Sequence, residues 1–161
     1  MGKIHAVLDT SGIKRLQKDL KKLEKGSVDF GYPEPDVHEP SGLTYGHLAS
    51  ILEWGIRDKI PPRPALRQTV ETFKTDKTGY ETAVKASLER FLESKNRIAD
   101  AVYRASGEHL SDQYADTMDD WRTIGSRATN NAPLTIDLKG FNKPFEETGE
   151  LIDNVDYRVN T

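Results

Sequence analysis

Apolar residues along this chain recur in two rhythms, one of three and four residues and one of two. Between Ser11 and Lys25, Ile13, Leu16, Leu20 and Leu23 keep the helical spacing, with Ser11 placed as N-cap and Gly26 as terminator. Ser27 to Tyr32 changes to alternation, putting Val28, Phe30 and Tyr32 on one side of a strand that Pro33-Glu34-Pro35 stops. Asp36 to Gly42, with Pro40 and Gly42, reads as a loop or hairpin tip. Leu43 to Trp54 is helical again through Leu48, Ile51 and Leu52, and Gly55 follows as its C′ residue.

After the connector 56–63, Pro64 suits the first turn of a helix continued by Leu66, Val70 and Phe73. The longest stripe, Tyr80, Val84, Leu88, Phe91, Ile98 and Val102, predicts one long helix near 80–105, which Gly107 kinks or ends. Leu110, Tyr114, Met118, Trp121 and Ile124 carry another stripe to about Ala128. Leu134 to Gly140 fits either a helical turn or a short strand, and a short turn follows through Leu151 and Ile152. Val155, Tyr157 and Val159 alternate as a last strand, and Ile4, Ala6 and Leu8 alternate weakly at the other end. The expected class is α+β: a small, mostly antiparallel sheet of strands near 3–9, 27–32 and 154–160, packed with several helices. At 161 residues the chain fits a single domain, with irregular loops near 33–42, 55–63 and 129–149.

Composition narrows the function classes. The apolar share is 35% and the charged share 30%, against a usual apolar share of about 45–50%, so the core is economical and neighbours are expected to complete part of it. Cysteine is absent, which removes disulfides, thiolate metal ligands and a cysteine nucleophile together. The N-terminus has no apolar h-region, Ala6 stands where a myristoylation signal wants Ser or Thr, and no apolar run approaches a bilayer span, so neither lipid anchor nor membrane is expected. A formal charge of −3 argues against tight binding to phosphate backbones. The lysines of the first helix are interrupted by Asp19 and Glu24 and lack interleaved aromatics, which favours a solvated face over a nucleic-acid patch.

Chemistry-bearing motifs fail one by one. His38-Glu39 begins like a zincin helix but continues Pro40-Ser41-Gly42, and His5, His47 and His109 have no paired spacing. Asp119-Asp120 and Glu146-Glu147 are sequence neighbours, which do not face one pocket on a helix. There is no phosphate-cradling glycine loop and no nucleophile elbow. No catalytic residue, metal ligand or cofactor is expected.

Two proline-bearing segments with large side chains stand out instead. One holds Trp54, Gly55, Ile60, Pro61, Pro62, Arg63 and Pro64; the other holds Lys143, Pro144, Phe145, Thr148 and Gly149. Prolines hold a loop in one shape at low entropy cost, which suits either a docking surface or a rigid corner against the domain's own core. Here the sequence resembles the tail-completion or neck proteins of long-tailed bacteriophages. In that family a strand with a valine-glycine ending precedes a helix closing on Glu-aromatic-Gly, then Ile-Pro-x-Arg-Pro and a hydrophobic helix. The corresponding residues are Val28 to Gly31, Glu53-Trp54-Gly55 and Ile60-Pro61-Pro62-Arg63-Pro64-Ala65-Leu66. Pro133-Leu134, Lys139-Gly140, Lys143-Pro144, Glu147-Thr148-Gly149-Glu150-Leu151 and the alternating Val155 to Val159 follow in the family's order. The chain departs from the pattern at Ala65, where the family has Phe, and at Phe145, where it has Leu.

The resemblance implies a non-enzymatic structural protein of the virion neck, assembled in the host bacterial cytoplasm. It implies a ring of about six copies that meets a head connector or adaptor on one side and a tail terminator or tail tube protein on the other. DNA would pass through the lumen without specific contacts. The twelve residues of the two segments are the interface candidates. A tail terminator or head-completion adaptor is the nearest alternative, and a small hydrolase or a nucleic-acid-binding accessory protein is the alternative of another class.

Overall fold

The computed structural model describes residues 10–94, 99–122, 131, 136–137, 140, 142, 144–145 and 149–160. Among these, the elements in chain order are α1 (Ser11–Leu23), β1 (Ser27–Gly31), β2 (Val37–His38), β3 (Leu43–Thr44), α2 (Tyr45–Trp54), α3 (Ala65–Thr75), α4 (Thr78–Glu93), α5 (Asp100–Asp119), α6 (Glu150–Asp153) and β4 (Asp156–Asn160). The fold is α+β. The strand expected near 3–9 lies outside the described residues.

β1 and β4 pair antiparallel, with Val28 opposite Val159 and Phe30 opposite Tyr157. Those four side chains are half-buried while Asp29 and Arg158 point to solvent, so the alternation sets both the register and the face that meets the helices. The expected loop after β1 contains a second two-stranded ladder, Val37–His38 with Leu43–Thr44. Its tip is closed by Ser41, whose hydroxyl lies 2.8 Å from His38 Nδ1 and accepts from Leu43 N, and by Gly42 at φ 67°.

α5 is the element on which the others assemble: it packs against α3, α4, α6 and both strands of the β1–β4 ladder. The buried cluster of Ala65, Tyr114, Met118 and Phe145 is lined by Phe30, Tyr32, Leu52, Trp121, Leu151, Ile152 and Val155. Tyr114 meets Phe30 and Tyr32 edge-on, at ring distances of 6.4 and 6.2 Å. Burial raises the Tyr32 and Tyr114 phenols well above their ordinary range, and the neutral Tyr32 hydroxyl donates to Leu151 O at 2.5 Å. The fully buried Thr69 hydroxyl ties α3 to α5 through Thr117, 3.0 Å away.

One expectation is corrected. The stripe over 80–105 belongs to two helices, because the chain is extended at Ser94 (ψ 138°) after α4 and α5 begins at Asp100. α4 and α5 fold back on each other, with Tyr80 OH 3.4 Å from Ser106 Oγ and Ser87 Oγ donating to Ala101 O at 2.8 Å. A single straight helix would carry Tyr80 to Phe91 away from the core, whereas the hairpin leaves Phe91 and Val102 both buried. The interval of seven from Phe91 to Ile98 suits either arrangement, so periodicity alone does not reveal the break.

Gly107 does not end α5 either. It removes a side chain where the Tyr157 ring lies against the helix, and a Cβ there would overlap that ring. Gly26 does the same beneath Tyr103, whose hydroxyl accepts from Gly26 N at 3.1 Å and donates to Leu23 O at 2.7 Å, closing the C-terminus of α1. Of the ambiguous stretch 134–140, Ile136 and Asp137 are helical and Gly140 N donates to Ile136 O at 2.7 Å.

Two substitutions separate these glycine roles. Gly107→Ala adds a methyl group at the Tyr157 contact and is expected to destabilise the fold by about 1–3 kcal/mol despite the better helix propensity of alanine. Gly12→Ala, on α1 with open space around its Cβ, is expected to be neutral or stabilising by up to about 1 kcal/mol. Urea unfolding curves of the two variants and the parent check both signs.

Candidate functional site

The described residues of the two motif segments converge near the junction of α2 and α3. α2 starts on Thr44, whose hydroxyl accepts from His47 N at 3.3 Å, and ends on Gly55 at φ 72°, whose N–H donates to Ile51 O at 2.7 Å. Gly55 is required twice over. Its φ is left-handed, and a Cβ would come within 2.5 Å of Ile60 O and 2.8 Å of Pro62 N.

Beyond Gly55 the chain makes a tight reversal: Ile56 and Ile60 exchange backbone hydrogen bonds, both of 2.8 Å, around Arg57-Asp58-Lys59, with Asp58 at φ 59°. The connector is therefore a small hairpin closed by backbone bonds. Pro61, Pro62 and Pro64 then fix the return path, and Arg63 N bonds back to Leu52 O at 2.6 Å.

Glu53 holds this arrangement together. Only 7% exposed, its carboxylate accepts from the N–H groups of Leu66 and Arg67 at 3.0 and 3.2 Å, capping the first turn of α3 from the last turn of α2. Arg67 completes the knot, donating from Nε to the carboxylate and from a terminal nitrogen to Glu53 O, both at 2.8 Å. The same guanidinium lies 4.4 Å from the centre of the Trp54 ring. Trp54 is thus fixed in place while 69% exposed, beside Ile56 at 40% and Leu66 at 37%. A shallow cleft of about 540 Å³ runs from Trp54 and Ile56 past the hairpin tip to Pro61 and Pro62.

Asn131, Asn142 and the described residues of the second segment support this loop from below. Arg63, 7% exposed, donates to Asn131 Oδ1 at 3.1 Å, and Asn131 N donates to Asn142 Oδ1 at 3.0 Å. Burial lowers the Arg63 guanidinium from its ordinary value, though it stays charged. Ile60, Pro144, Phe145 and Gly149 line one small cavity of about 200 Å³ with Leu48 and Ile51.

In the single chain, then, Arg63, Pro64, Pro144 and Phe145 are buried, and form the underside of the loop instead of a surface. The physical reason is that the apolar Phe145 ring joins Ala65, Tyr114 and Met118 in the core, while the Arg63 guanidinium turns inward and donates to Asn131. Trp54 and Pro62 are exposed, and Gly55, Ile60, Pro61 and Gly149 are half-buried. Lys143 and Thr148 lie outside the described residues.

Sequence reasoning missed Glu53 as the cap, Arg67 as its partner and Asn131 as the bridge. Their contacts join residues far apart in the chain, which no local spacing signals.

A second cluster pins the β2–β3 hairpin to α6. Tyr45 OH donates to Glu150 Oε2 at 3.0 Å, and His38 Nε2 lies 3.7 Å from the same oxygen. Burial, then the Glu150 hydrogen bond and charge, raise the Tyr45 phenol, so its proton stays committed to that bond. Among the described residues no group of three or more acidic or histidine side chains is placed to hold a metal ion, and no helix is long and apolar enough to cross a membrane. No family model, curated protein or solved structure matches this chain.

Glu53→Ala removes the α3 cap and leaves Arg67 without its carboxylate; a loss of about 2 kcal/mol is expected, with Glu53→Gln recovering part of it. Trp54→Ala, at an exposed position, is expected to change stability by less than about 0.5 kcal/mol. Chemical denaturation checks both, and equal losses at the two positions would contradict the assigned roles.

Proposed function

We propose that this chain is a structural protein of the head-to-tail junction of a long-tailed phage, a tail-completion or neck protein that joins the head connector to the tail as a ring through which DNA passes. The observation that carries the reading is that the residues of the resemblance act as one connected device. Glu53 of the Glu-Trp-Gly triplet caps the helix that follows Ile-Pro-Pro-Arg-Pro, Gly55 makes the turn, Arg63 ties the loop down through Asn131, and Trp54 is left projecting. A rigid loop bearing an exposed aromatic anchor loses little entropy on docking, the property a joining protein needs.

The two departures from the family pattern also meet in space. Ala65 and Phe145 share one buried cluster, so the smaller residue at the first position is partly offset by the larger one at the second. The reading assigns the protein to the virion neck, with its own copies, a head connector and a tail terminator or tail tube protein as partners, and gives it no catalytic step.

Antibody to this chain, applied to intact virions of the phage that encodes it and viewed in negative stain, should mark the junction of head and tail. Particles carrying no label anywhere would overturn the reading. In the same system a chain carrying both Trp54→Ala and Ile56→Ala should fold normally by circular dichroism yet leave heads and tails unjoined.

A further inference from the structure

One side of α1 stays open to solvent in the protomer. Ile13 and Leu20 are 56% and 39% exposed, although both belong to the apolar stripe that makes the helix amphipathic. Beside them, Lys14, Lys18 and Lys21 form a ladder at spacings of four and three, with Lys25 just beyond the helix end, all exposed. Among the described residues none of the four has an ion-pair partner. At 1.5 Å per residue the helical part of the ladder, Lys14 to Lys21, runs for roughly 10 Å.

The opposite sign is displayed elsewhere on the same chain. Glu108, Asp112 and Asp116 occupy successive turns on the exposed side of α5 and span roughly 12 Å, and the half-buried Ala115 beside them adds a small apolar margin. Among the described residues Asp112 and Asp116 have no ion-pair partner, and Glu108 accepts from Tyr157 OH, at 3.3 Å. The two ladders do not meet within one protomer. α1 is fastened to α5 through Tyr103, which is nine residues from Asp112 and therefore on the opposite side of the helix.

We infer that α1 docks onto the Glu108–Asp116 ridge of a second copy of this chain, through a lysine ladder matched to a carboxylate ladder of similar length, with Ile13 and Leu20 closing over the apolar margin. Because the two surfaces differ, the contact is head-to-tail and repeats from copy to copy, closing a ring if the rotation per copy permits. This contact is the copy-to-copy surface of the ring proposed above and rests on that reading for its biological setting. The contact itself is tested without a virion.

Sedimentation of the full chain over a range of concentrations is the test. At low ionic strength the parent should form concentration-dependent oligomers that dissociate near 1 M salt, where the screening length is roughly 3 Å. The variant K14E/K18E/K21E has two acidic faces and D112K/D116K has two basic faces. Each alone should associate at least about tenfold more weakly, and an equimolar mixture should recover association. All substitutions are at exposed positions, and circular dichroism verifies folding. A parent that stays monomeric at every concentration, single variants that associate like the parent, or a mixture that fails to recover would each overturn the contact. So would a chain that binds anionic vesicles or DNA through the lysines without associating with itself. Virion labelling at the neck alongside failure of these variants would remove the contact and keep the functional reading, and the converse result would do the reverse.

Discussion

A carboxylate from the end of one helix accepting from the opening N–H groups of the next is the contact around which this molecule is arranged. Glu53 is nearly sealed from water, a costly place for a charge unless donors surround it. Two backbone N–H groups and the Arg67 guanidinium supply them. That requirement sets how α2 and α3 meet, and with it the closeness of the Ile56–Ile60 hairpin, the seat of Trp54 and the position of Ala65 in the core. Because the same atoms fasten the helices and orient the exposed ring, the scaffold sets the pose of the candidate surface.

Features decided by neighbours in sequence were legible before the structure. Gly55 as a C′ residue, the stop at Pro33, the loop at Pro40 and Gly42, and the alternation of Val28 and Phe30 all express local backbone preferences, and each falls where the pattern places it. The alternating segments near 27–32 and 154–160 pointed to an antiparallel sheet, and β1 pairs with β4, while the strand expected near 3–9 lies outside the described residues. The break between α4 and α5 was hidden because Phe91 and Ile98 stay in phase across it. The fate of Phe145 was hidden for another reason: an apolar residue beside a proline reads alike as anchor or as core, and only the approach of Tyr114 and Met118 decides. Glu53 and Arg63 were visible as motif members, but their partners at Leu66, Arg67 and Asn131 follow from tertiary geometry alone.

The distribution of charge complements the core. A chain that is acidic overall yet carries six basic side chains against two acidic ones from Ser11 to Lys25 has a directional field. With α1 held at its C-terminal end by the Tyr103 hydroxyl, the helix keeps Ile13 and Leu20 accessible. An economical core and exposed apolar residues on one charged helix are two aspects of the same composition.

The backbone closure of the hairpin after Gly55 has an evolutionary consequence. Its shape is held by main-chain hydrogen bonds, by a left-handed glycine and by three prolines, while the side chains of Arg57, Asp58 and Lys59 point outward and hold nothing in the core. The tip can therefore change its identity without changing its position. Such a loop lets a lineage substitute a few exposed residues at its tip while leaving the frame that presents them untouched.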